Sequence, residues 1–293
     1  MMITQSLLPL PAGIDAWPLG VLVFAVGACI GSFLNVCIYR LPEDLSVVRP
    51  RSRCPHCEFE IAWYDNLPIV SWLLLRARCR RCAAPIAARY PLVELLTGAF
   101  AVAALVRFGP TVHGLVAFAF SAALLLITFI DLDHFIIPDE VSLPGIAVGL
   151  LVSLLPGGIG LTDAFIGTVL GGGILWAVAW SYERATGTEG MGFGDVKLLA
   201  MIGAFLGWQA IPMVLVIASV VGSVAGLLAI FTPAGLARMR RVQRRLGPGA
   251  AVPYLRRAAR TTAIPFGPFL ALGALVLLYA PGLSLPFDWV TVG

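Results

Sequence analysis

Residues 196–231 read VKLLAMIGAFLGWQAIPMVLVIASVVGSVAGLLAIF, and this run decides how many times the chain crosses a membrane. It is apolar almost throughout and is interrupted only at residues 208–212, WQAIP. One transmembrane helix needs roughly 20 apolar residues. The 36 residues of the run are too many for one such helix and just enough for two short helices joined by a tight turn.

The distribution of Lys and Arg in the rest of the chain distinguishes the one-span from the two-span alternative. Six more apolar stretches of spanning length lie outside that run, at 17–39, 90–106, 113–130, 141–156, 164–182 and 263–281. With two spans in the run the total is eight, and Arg107 alone falls on the opposite side from every other Lys and Arg. With one span, the arginines that follow it would lie on the side opposite to the other basic residues. This would contradict the rule that cytoplasmic loops carry an excess of Lys and Arg. The charge pattern therefore predicts eight transmembrane helices with both termini outside.

Composition supports a membrane protein. Apolar residues make up 59% of the chain and charged residues 12%, against roughly 45–50% and 25% in soluble domains. The mean hydropathy is +0.92. The first apolar run has no basic segment before it and no small-residue cleavage site after it, so we expect a retained span.

The predicted fold class is an all-α polytopic membrane protein. Its parts are a first helix (1–40), a polar cytoplasmic insert (41–89, the cysteine insert) and a helical core (90–293). We expect membrane lipids and no nucleic acid as partners.

Four cysteines give the insert a predicted metal site. Cys54-Pro55-His56-Cys57 and Cys79-Arg80-Arg81-Cys82 are separated by 21 residues, and two C-x2-C pairs near this spacing are typical of a tetrahedral zinc ribbon. A segment of about 50 residues is also near the size at which a metal replaces a missing core. Two disulfides or four free thiols are the alternatives, and a reducing cytoplasm disfavours disulfides.

Four cysteine ligands leave no open coordination position, so we expect the zinc to be structural. His56 is predicted to lie on the surface. Cys29 and Cys37, in the first span, are predicted to be small buried residues.

Two acidic clusters lie where predicted spans reach the cytoplasmic face. Residues 130–140 read IDLDHFIIPDE and close the third span, and residues 190–197 read GMGFGDVK and open the sixth. A charge at the centre of a span costs about 2.5–3.5 kcal/mol on insertion scales, so a carboxylate there needs a reason. Asp131 continues an apolar run. Asp195 follows glycines at 190, 192 and 194, which allow the backbone to approach another group closely.

Each of these residues also has a plain structural explanation. Asp133, Asp139 and Glu140 fit a solvated loop. Asp139 also fits the N-cap of the fourth span, and Asp195 fits a helix N-cap. Lys197, the only lysine in the chain, is interpreted first as an interfacial cation that snorkels to the surface. Its alternative role is to influence the charge of Asp195 or to contact substrate.

These residues carry a family resemblance. The sequence GFGD at 192–195 fits the G-x-G-D pattern of intramembrane aspartyl proteases, and its surroundings resemble the type IV prepilin peptidases. The resemblance covers most of the chain in six ordered blocks. They are GSFLNVCIYRLP at 31–42, the paired cysteines, PLVELLTG at 91–98, residues 131–139, residues 192–200, and PFGPFL at 265–270.

The resemblance implies that Asp131 and Asp195 form a catalytic pair. It implies cleavage of prepilin and type II secretion pseudopilin leaders, after a glycine, at the cytoplasmic face of the bacterial inner membrane. One ionised aspartate would act as general base on water while its protonated partner donates a hydrogen bond to the scissile carbonyl. Asp133, which we place past the end of its helix, is assigned a supporting role, as are Gly192, Gly194 and Lys197.

A second activity is also implied by the resemblance. Family members with the cysteine insert methylate the new pilin N-terminus with S-adenosylmethionine. No G-x-G-x-x-G motif follows a strand here, and the insert cannot hold a doubly wound nucleotide domain. We expect a donor site built from the insert and the ends of the first two spans, with Glu43 and Glu94 as candidates. Glu94 is expected to pair with an arginine, to line a polar pocket, or to snorkel to the interface.

One region departs from the family pattern. Residues 233–262 are longer and more basic than we expect, and Arg238, Arg241 and Arg245 share one helical face. This fits a basic helix on anionic lipid, and a disordered positive anchor is the alternative.

Two other functions fit parts of the sequence. The first is a peptidase without methyltransferase activity, in which the zinc insert only docks substrate. The second is a proton-coupled transporter or assembly factor, which predicts acids near the bilayer midplane and inverted repeats. The sequence shows neither feature.

Overall fold

The structure, a computed structural model, describes residues 16–188, 191–230 and 265–280. The described residues are helical apart from loops and two isolated β-bridges. The α-helices are α1 (Ala16–Arg40), α2 (Val70–Leu74), α3 (Arg89–Phe108), α4 (Val112–His134), α5 (Asp139–Val152), α6 (Leu161–Thr186), α7 (Phe193–Leu206), α8 (Ala210–Ile230) and α9 (Gly267–Tyr279). Short 3-10 turns lie at Leu41–Glu43 and Trp63–Asn66.

Five of these helices, α1, α3, α4, α6 and α8, are long and apolar enough to cross a membrane. The predicted fold class, an all-α polytopic membrane protein, is confirmed. The count of eight crossings stays a prediction, because α5, α7 and α9 have only 14, 14 and 13 residues.

The apolar run at 196–231 breaks into two helices where the sequence predicts. Gly207 ends α7 with φ of 79°, a left-handed conformation that glycine adopts without steric cost. Trp208 follows, and its indole Nε1 donates to Asp163 Oδ1 of α6 at 3.2 Å. The turn is therefore held by a side-chain contact as well as by the glycine.

Helix α4 lies between two hydrophobic cores and belongs to both. Ala117, Phe120, Leu124 and Ile127 form one stripe, at helical spacing, that packs into the core built with α7, α8 and α9. Ala122, Leu125, Leu126 and Ile130 face the other core, with α1 and α3. Residues near the C-terminal end of α4 are therefore directed to one core or the other by their position on the helix.

Small residues allow the backbones to approach closely, as is typical of helix packing in membranes. Between α1 and α3, a Cβ added to Gly27 would lie 2.7 Å from Cβ of Ala101. Between α6 and α7, a Cβ added to Gly171 would lie 2.5 Å from the Leu199 carbonyl oxygen. Substitutions at these glycines would force the helices apart.

The cysteine insert connects α1 to α3 at one end of the bundle, here called the insert end. Helix α4 ends and α7 and α9 begin at this same end, since Arg89 at the start of α3 pairs with Asp133 and the N–H of Gly267 in α9 bonds to Asp131. The predicted basic helix with Arg238, Arg241 and Arg245 lies outside the described residues.

Candidate functional site

Asp131 lies in the last turn of α4 and continues the stripe that faces the α7–α9 core. It follows Ile127 by one turn, and only 5% of its surface is exposed. Its Oδ2 accepts a hydrogen bond from the backbone N–H of Gly267, at 3.0 Å. Because this donor is backbone at the start of α9, it fixes the orientation of the carboxyl and leaves Oδ1 for another partner.

Asp195 is the third residue of α7 and heads a second buried stripe. Leu199, Ile202 and Leu206 follow it at helical spacing and are fully buried in the same core. The Asp195 carboxyl is half-buried. The N-cap of α7 is Gly192, so the alternative explanation of Asp195 as an N-cap is wrong.

Ile137 joins the two aspartate segments. A Cβ added to Gly194 would lie 2.9 Å from Cβ of Ile137, and one added to Gly267 would lie 3.2 Å from its Cδ1 and 2.5 Å from Oδ2 of Asp131. Both glycines are therefore required for close approach. A Cβ on Gly192 would meet nothing within 4 Å, so of the two glycines predicted to support the site only Gly194 packs closely.

Asp133 lies on the side of α4 that faces the start of α3. It lies within α4, which extends to His134, so its predicted position past the helix end is wrong. Its side chain is partly exposed and forms an ion pair with Arg89 at the start of α3. Two residues along a helix correspond to a rotation of about 200°, and for this reason Asp133 points away from the side that Asp131 faces.

Lys197 and Asp139 form a second ion pair. The Lys197 Nζ donates to Asp139 Oδ1 at 2.5 Å, and the two side chains are 22% and 52% exposed. The ion pair gives this interfacial cation a partner in Asp139, and both interpretations of Lys197, snorkelling or action on Asp195 or substrate, stay predictions. Asp139 is the first residue of α5, and Pro138 occupies the N-cap, so the N-cap alternative for Asp139 is wrong.

The two glutamates predicted for the methyl-donor site lie in different environments. Glu94 is 8% exposed, and its Oε2 accepts the backbone N–H of Ile69, in the cysteine insert, at 2.7 Å. The Ser32 side chain of α1 contacts the same carboxyl. This replaces the predicted arginine pairing or snorkelling with a contact that ties the insert to the bundle. Glu43 is exposed in the turn after α1.

The four cysteines of the insert form one cluster. Their Sγ atoms all lie within 4.8 Å of one another, and those of Cys54 and Cys82 are 3.8 Å apart. Zinc–sulfur bonds of about 2.3 Å in a tetrahedron place the sulfurs about 3.8 Å apart, so the cluster fits such an ion. His56 is exposed, as predicted, and is outside the cluster.

The two cysteine knuckles share one backbone geometry. In the first, the N–H of Cys54 donates to the carbonyl of Phe59, and the N–H of Glu58 donates to that of Cys54. In the second, the N–H of Cys79 donates to the carbonyl of Ala84, and the N–H of Ala83 donates to that of Cys79. Glu58 and Ala83 each have positive φ, at 55° and 56°. Backbone N–H groups of Cys82 and Arg81 lower the pKa of the Cys79 thiol. Against the backbone N–H of Ala84, burial and the neighbouring thiols raise the pKa of Cys82, so of these two cysteines the thiolate is favoured at Cys79 alone.

The other two cysteines differ from each other. Cys37 is buried, as predicted, whereas Cys29 is exposed, so its predicted burial is wrong. Cys29 instead lines a cavity between α1 and the insert.

Sequence reasoning missed the contacts that hold the aspartates. The block at 265–270 carried a resemblance, yet nothing in its pattern assigned the Gly267 N–H to Asp131. Ile137 lay within the first acidic cluster and was not singled out. The 3.6-residue periodicity of α4 would have separated the faces of Asp131 and Asp133.

Comparison with known proteins identifies the family. A family profile described as Bacterial Peptidase A24 N-terminal domain matches residues 25–108, and one described as Type IV leader peptidase family matches residues 118–227. The chain is 41% identical to the Prepilin leader peptidase/N-methyltransferase of Aeromonas hydrophila over 288 residues, which covers 90% of this chain and 91% of that protein.

Relatives from other bacteria agree. The protein of the same name from Myxococcus xanthus is 42% identical over 274 residues, covering 92% of this chain and 80% of that protein. That of Stutzerimonas stutzeri is 37% identical, covering 86% and 88%. No solved structure gives a significant match. On this evidence the chain belongs to the type IV leader peptidase family and is an enzyme of the prepilin leader peptidase/N-methyltransferase class.

Proposed function

We propose that this enzyme cleaves the leaders of prepilins and pseudopilins with Asp131 and Asp195, and that it methylates the N-terminus that cleavage exposes. The observation that carries the peptidase assignment is that the segments of both aspartates pack against Ile137 at the insert end of one core. The names of the relatives describe both activities for those proteins. The family assignment excludes the transporter hypothesis. The peptidase-only hypothesis is disfavoured because the relatives are named for both activities.

The proposed hydrolysis uses the two aspartates in different protonation states. Neighbouring carboxylates share a proton because two adjacent negative charges repel each other. The ionised aspartate removes a proton from water, whose oxygen attacks the scissile carbonyl carbon. The protonated aspartate donates a hydrogen bond to the carbonyl oxygen. Collapse of the tetrahedral intermediate breaks the C–N bond, and the leaving amine takes up a proton.

The local contacts favour Asp131 as the better-oriented member of the pair. Its Oδ2 is held by the Gly267 N–H, which leaves Oδ1 for water or substrate. Asp195 is more exposed and lies beside Gly194, where the backbone is close to Ile137. A substrate peptide that enters at the insert end would therefore reach both carboxyls from the side of α7.

The proposed side of cleavage is the cytoplasm of the bacterium, at the inner membrane. The insert end carries nine arginines between positions 40 and 89, and loops rich in Lys and Arg remain cytoplasmic. The leader of a prepilin would then project inward while its hydrophobic segment stays in the membrane beside the helices.

We further propose that the cysteine cluster binds a structural Zn²⁺ and that the methyl donor is S-adenosylmethionine. Cys54, Cys57, Cys79 and Cys82 would hold the ion as thiolates, and a closed set of four sulfur ligands supplies folding energy rather than catalysis.

Incubation of the purified enzyme with a leader-bearing prepilin and S-adenosylmethionine tests both activities in one measurement. The mass of the pilin N-terminus should show loss of the leader and gain of one methyl group. Asp131→Asn and Asp195→Asn should each lower the cleavage rate by about 10²–10⁴-fold, the range for general acid–base groups. Asparagine keeps the size of the side chain and an acceptor for the Gly267 N–H, so folding should be preserved.

Asp133→Asn provides the matched control, since it lies on the same helix and pairs with Arg89 instead. It should retain cleavage within about 5-fold, the effect of a partly exposed ion pair. Loss of cleavage in this variant, with activity kept in Asp131→Asn, would overturn the assignment of the pair.

A further inference from the structure

We propose that the cavity between α1 and the cysteine insert binds the methyl donor, and that the Arg51 guanidinium binds its carboxylate. This inference rests on the methyltransferase part of the proposed function. The cavity has a volume of about 500 Å³, within the range of roughly 300–1,000 Å³ that is usual for small-molecule sites. It lies apart from Asp131 and Asp195, neither of which lines it.

One wall of the cavity is a single face of α1. Cys29, Ser32, Val36 and Arg40 follow one another at helical spacing along this face, with Phe33 beside them. The stripe extends about 16 Å along the helix axis at 1.5 Å per residue. It combines the Ser32 hydroxyl with the apolar Phe33 and Val36 and ends in a cation at the insert end.

The other wall comes from two segments of the insert. Residues Val47, Val48, Pro50, Arg51 and Ser52 lead directly into the first knuckle, and Asn66 and Pro68 lie between the two knuckles. Pro68 precedes Ile69, whose N–H is bound by the buried Glu94 of α3. Metal binding and the Glu94 contact therefore both position this wall, which gives a physical reason for methyl transfer to depend on the insert.

The two arginines of the cavity have different roles. Arg40 donates to the Ser46 carbonyl at 2.8 Å and to the Pro50 carbonyl at 2.7 Å, so it holds the loop in place. Arg51 is exposed and has no hydrogen bond or ion pair with any residue in the part of the chain that the structure describes. Its planar guanidinium is suited to bind a carboxylate with two parallel hydrogen bonds.

The remaining lining fits the rest of the donor better than it fits a lipid. S-adenosylmethionine carries a ribose and an adenine, whose hydroxyl, amine and ring nitrogens need hydrogen-bond partners. Ser32, Ser52 and Asn66 supply hydroxyl and amide groups that can donate and accept. The apolar part of the α1 face, at Phe33 and Val36, suits the hydrophobic segment of the acceptor pilin.

The transfer balances without a further reactant. The lone pair of the neutral pilin α-amine attacks the donor methyl carbon, and an N–CH₃ bond forms as the S–CH₃ bond breaks. The sulfonium sulfur keeps the bonding electrons and becomes the neutral thioether of S-adenosylhomocysteine. The methylated ammonium then loses a proton to water at the open mouth of the cavity.

Steady-state methylation by the full-length enzyme tests the site. The enzyme is kept in a maltoside detergent, whose headgroup has no phosphate to compete for Arg51. Arg51→Ala should raise KM for S-adenosylmethionine by about 10- to 100-fold, the loss expected for a hydrogen bond to a charged group. The KM for prepilin and the rate of leader cleavage should stay unchanged. Arg51→Lys keeps the charge but not the paired hydrogen bonds, and should fall between Arg51→Ala and the unaltered enzyme.

Arg49→Ala is the matched control, because Arg49 is exposed, lies two residues away and does not line the cavity. It should leave both KM values unchanged. An unchanged donor KM in Arg51→Ala would overturn the inference, and so would a rise in the prepilin KM alone, which would assign the cavity to peptide. Loss of cleavage in Arg51→Ala would also overturn it. Absence of methylation by the unaltered enzyme would instead contradict the proposed function.

Discussion

The cysteine cluster and the aspartate site each bring distant residues together, but they do so by different means. The four cysteines lie within residues 54–82 and are placed by two copies of one local turn. The aspartate site draws on α4, the loop after it, α7 and α9, and the bond between Gly267 and Asp131 joins residues 136 positions apart. A metal site can thus be specified by short-range pattern, whereas a carboxyl pair depends on how helix ends pack.

The same difference predicts that the two activities are separable. The insert contacts the bundle through α1 and α3, for example at Glu94 and Ile69. The aspartate segments of α4 and α7 are instead held by Ile137, in the loop after α4, and by Gly267 of α9. Helix α4 lies between these two groups and has a separate face for each.

Removal of one cysteine knuckle should separate the two activities most clearly, because it should abolish methylation and retain leader cleavage. With Cys79→Ser and Cys82→Ser together, two of four ligands are lost, and because structural zinc supplies about 10–16 kcal/mol of folding energy the insert should unfold. We expect less than one tenth of an equivalent of zinc and no detectable methylation. Leader cleavage should fall by less than about 10-fold, since no aspartate contact is removed. Metal analysis and the pilin mass measure all three quantities.

The outcome that would contradict this separation is full loss of cleavage along with the metal. Cys37→Ser is the control, because Cys37 lies in α1 outside the cluster. It should retain metal and both activities.

Two glycines at the start of α7, Gly194 and Gly192, test whether the aspartate site depends on close packing of helix ends. Gly194→Ala should lower the cleavage rate by roughly 10-fold or more, because its Cβ would lie 2.9 Å from Ile137 and overpacking costs about 1–3 kcal/mol. Gly192→Ala should change the rate by less than about 2-fold. Its added Cβ meets nothing, and its φ of −68° suits any residue. Single-turnover cleavage rates of the two variants give the comparison, and equal effects would contradict it.

A smaller effect is expected at the contact that holds the insert on α3. Glu94→Ala leaves the N–H of Ile69 without its partner, which costs about 1–3 kcal/mol, so methylation should fall by roughly 10-fold. Cleavage should change by less than about 3-fold. Glu43→Ala is the control, since the Glu43 side chain is exposed and forms no hydrogen bond or ion pair with any residue that the structure describes. Equal effects of the two variants on methylation would show that Glu94 does not position the insert.

Much of the fold could be predicted because it depends on local or additive signals. Hydrophobic length marks the helices and the break near Trp208, and the spacing of the cysteines marks the cluster. Side-chain partners across the fold had no such signal. Lys197 pairs with Asp139, 58 residues away, and Gly267 bonds to Asp131 through its backbone, which any residue other than proline provides.

The predicted end of the third span shows a second limit. Hydropathy alone ends that span at residue 130, yet α4 continues to His134 because Phe135, in a left-handed conformation, caps it. The helix therefore sets the directions in which the acidic side chains of the last turn point, and hydropathy does not predict these directions. This is why the sequence placed Asp133 past the end of the helix, whereas the structure separates it from Asp131 by its position around α4.

The smallest expected effect concerns Lys197, and it distinguishes a packing role from a catalytic one. Its ion pair with Asp139 is partly exposed, so it should contribute at most about 1 kcal/mol. Lys197→Met and Asp139→Asn should each lower cleavage by less than about 5-fold, and the double variant should be no worse than either, because both changes break one pair. If Lys197 acted on Asp195 or on substrate, Lys197→Met would be the more damaging change and the double variant would match it. Cleavage rates for the three variants therefore assign Lys197 either to the loop that begins α5 or to the aspartate site.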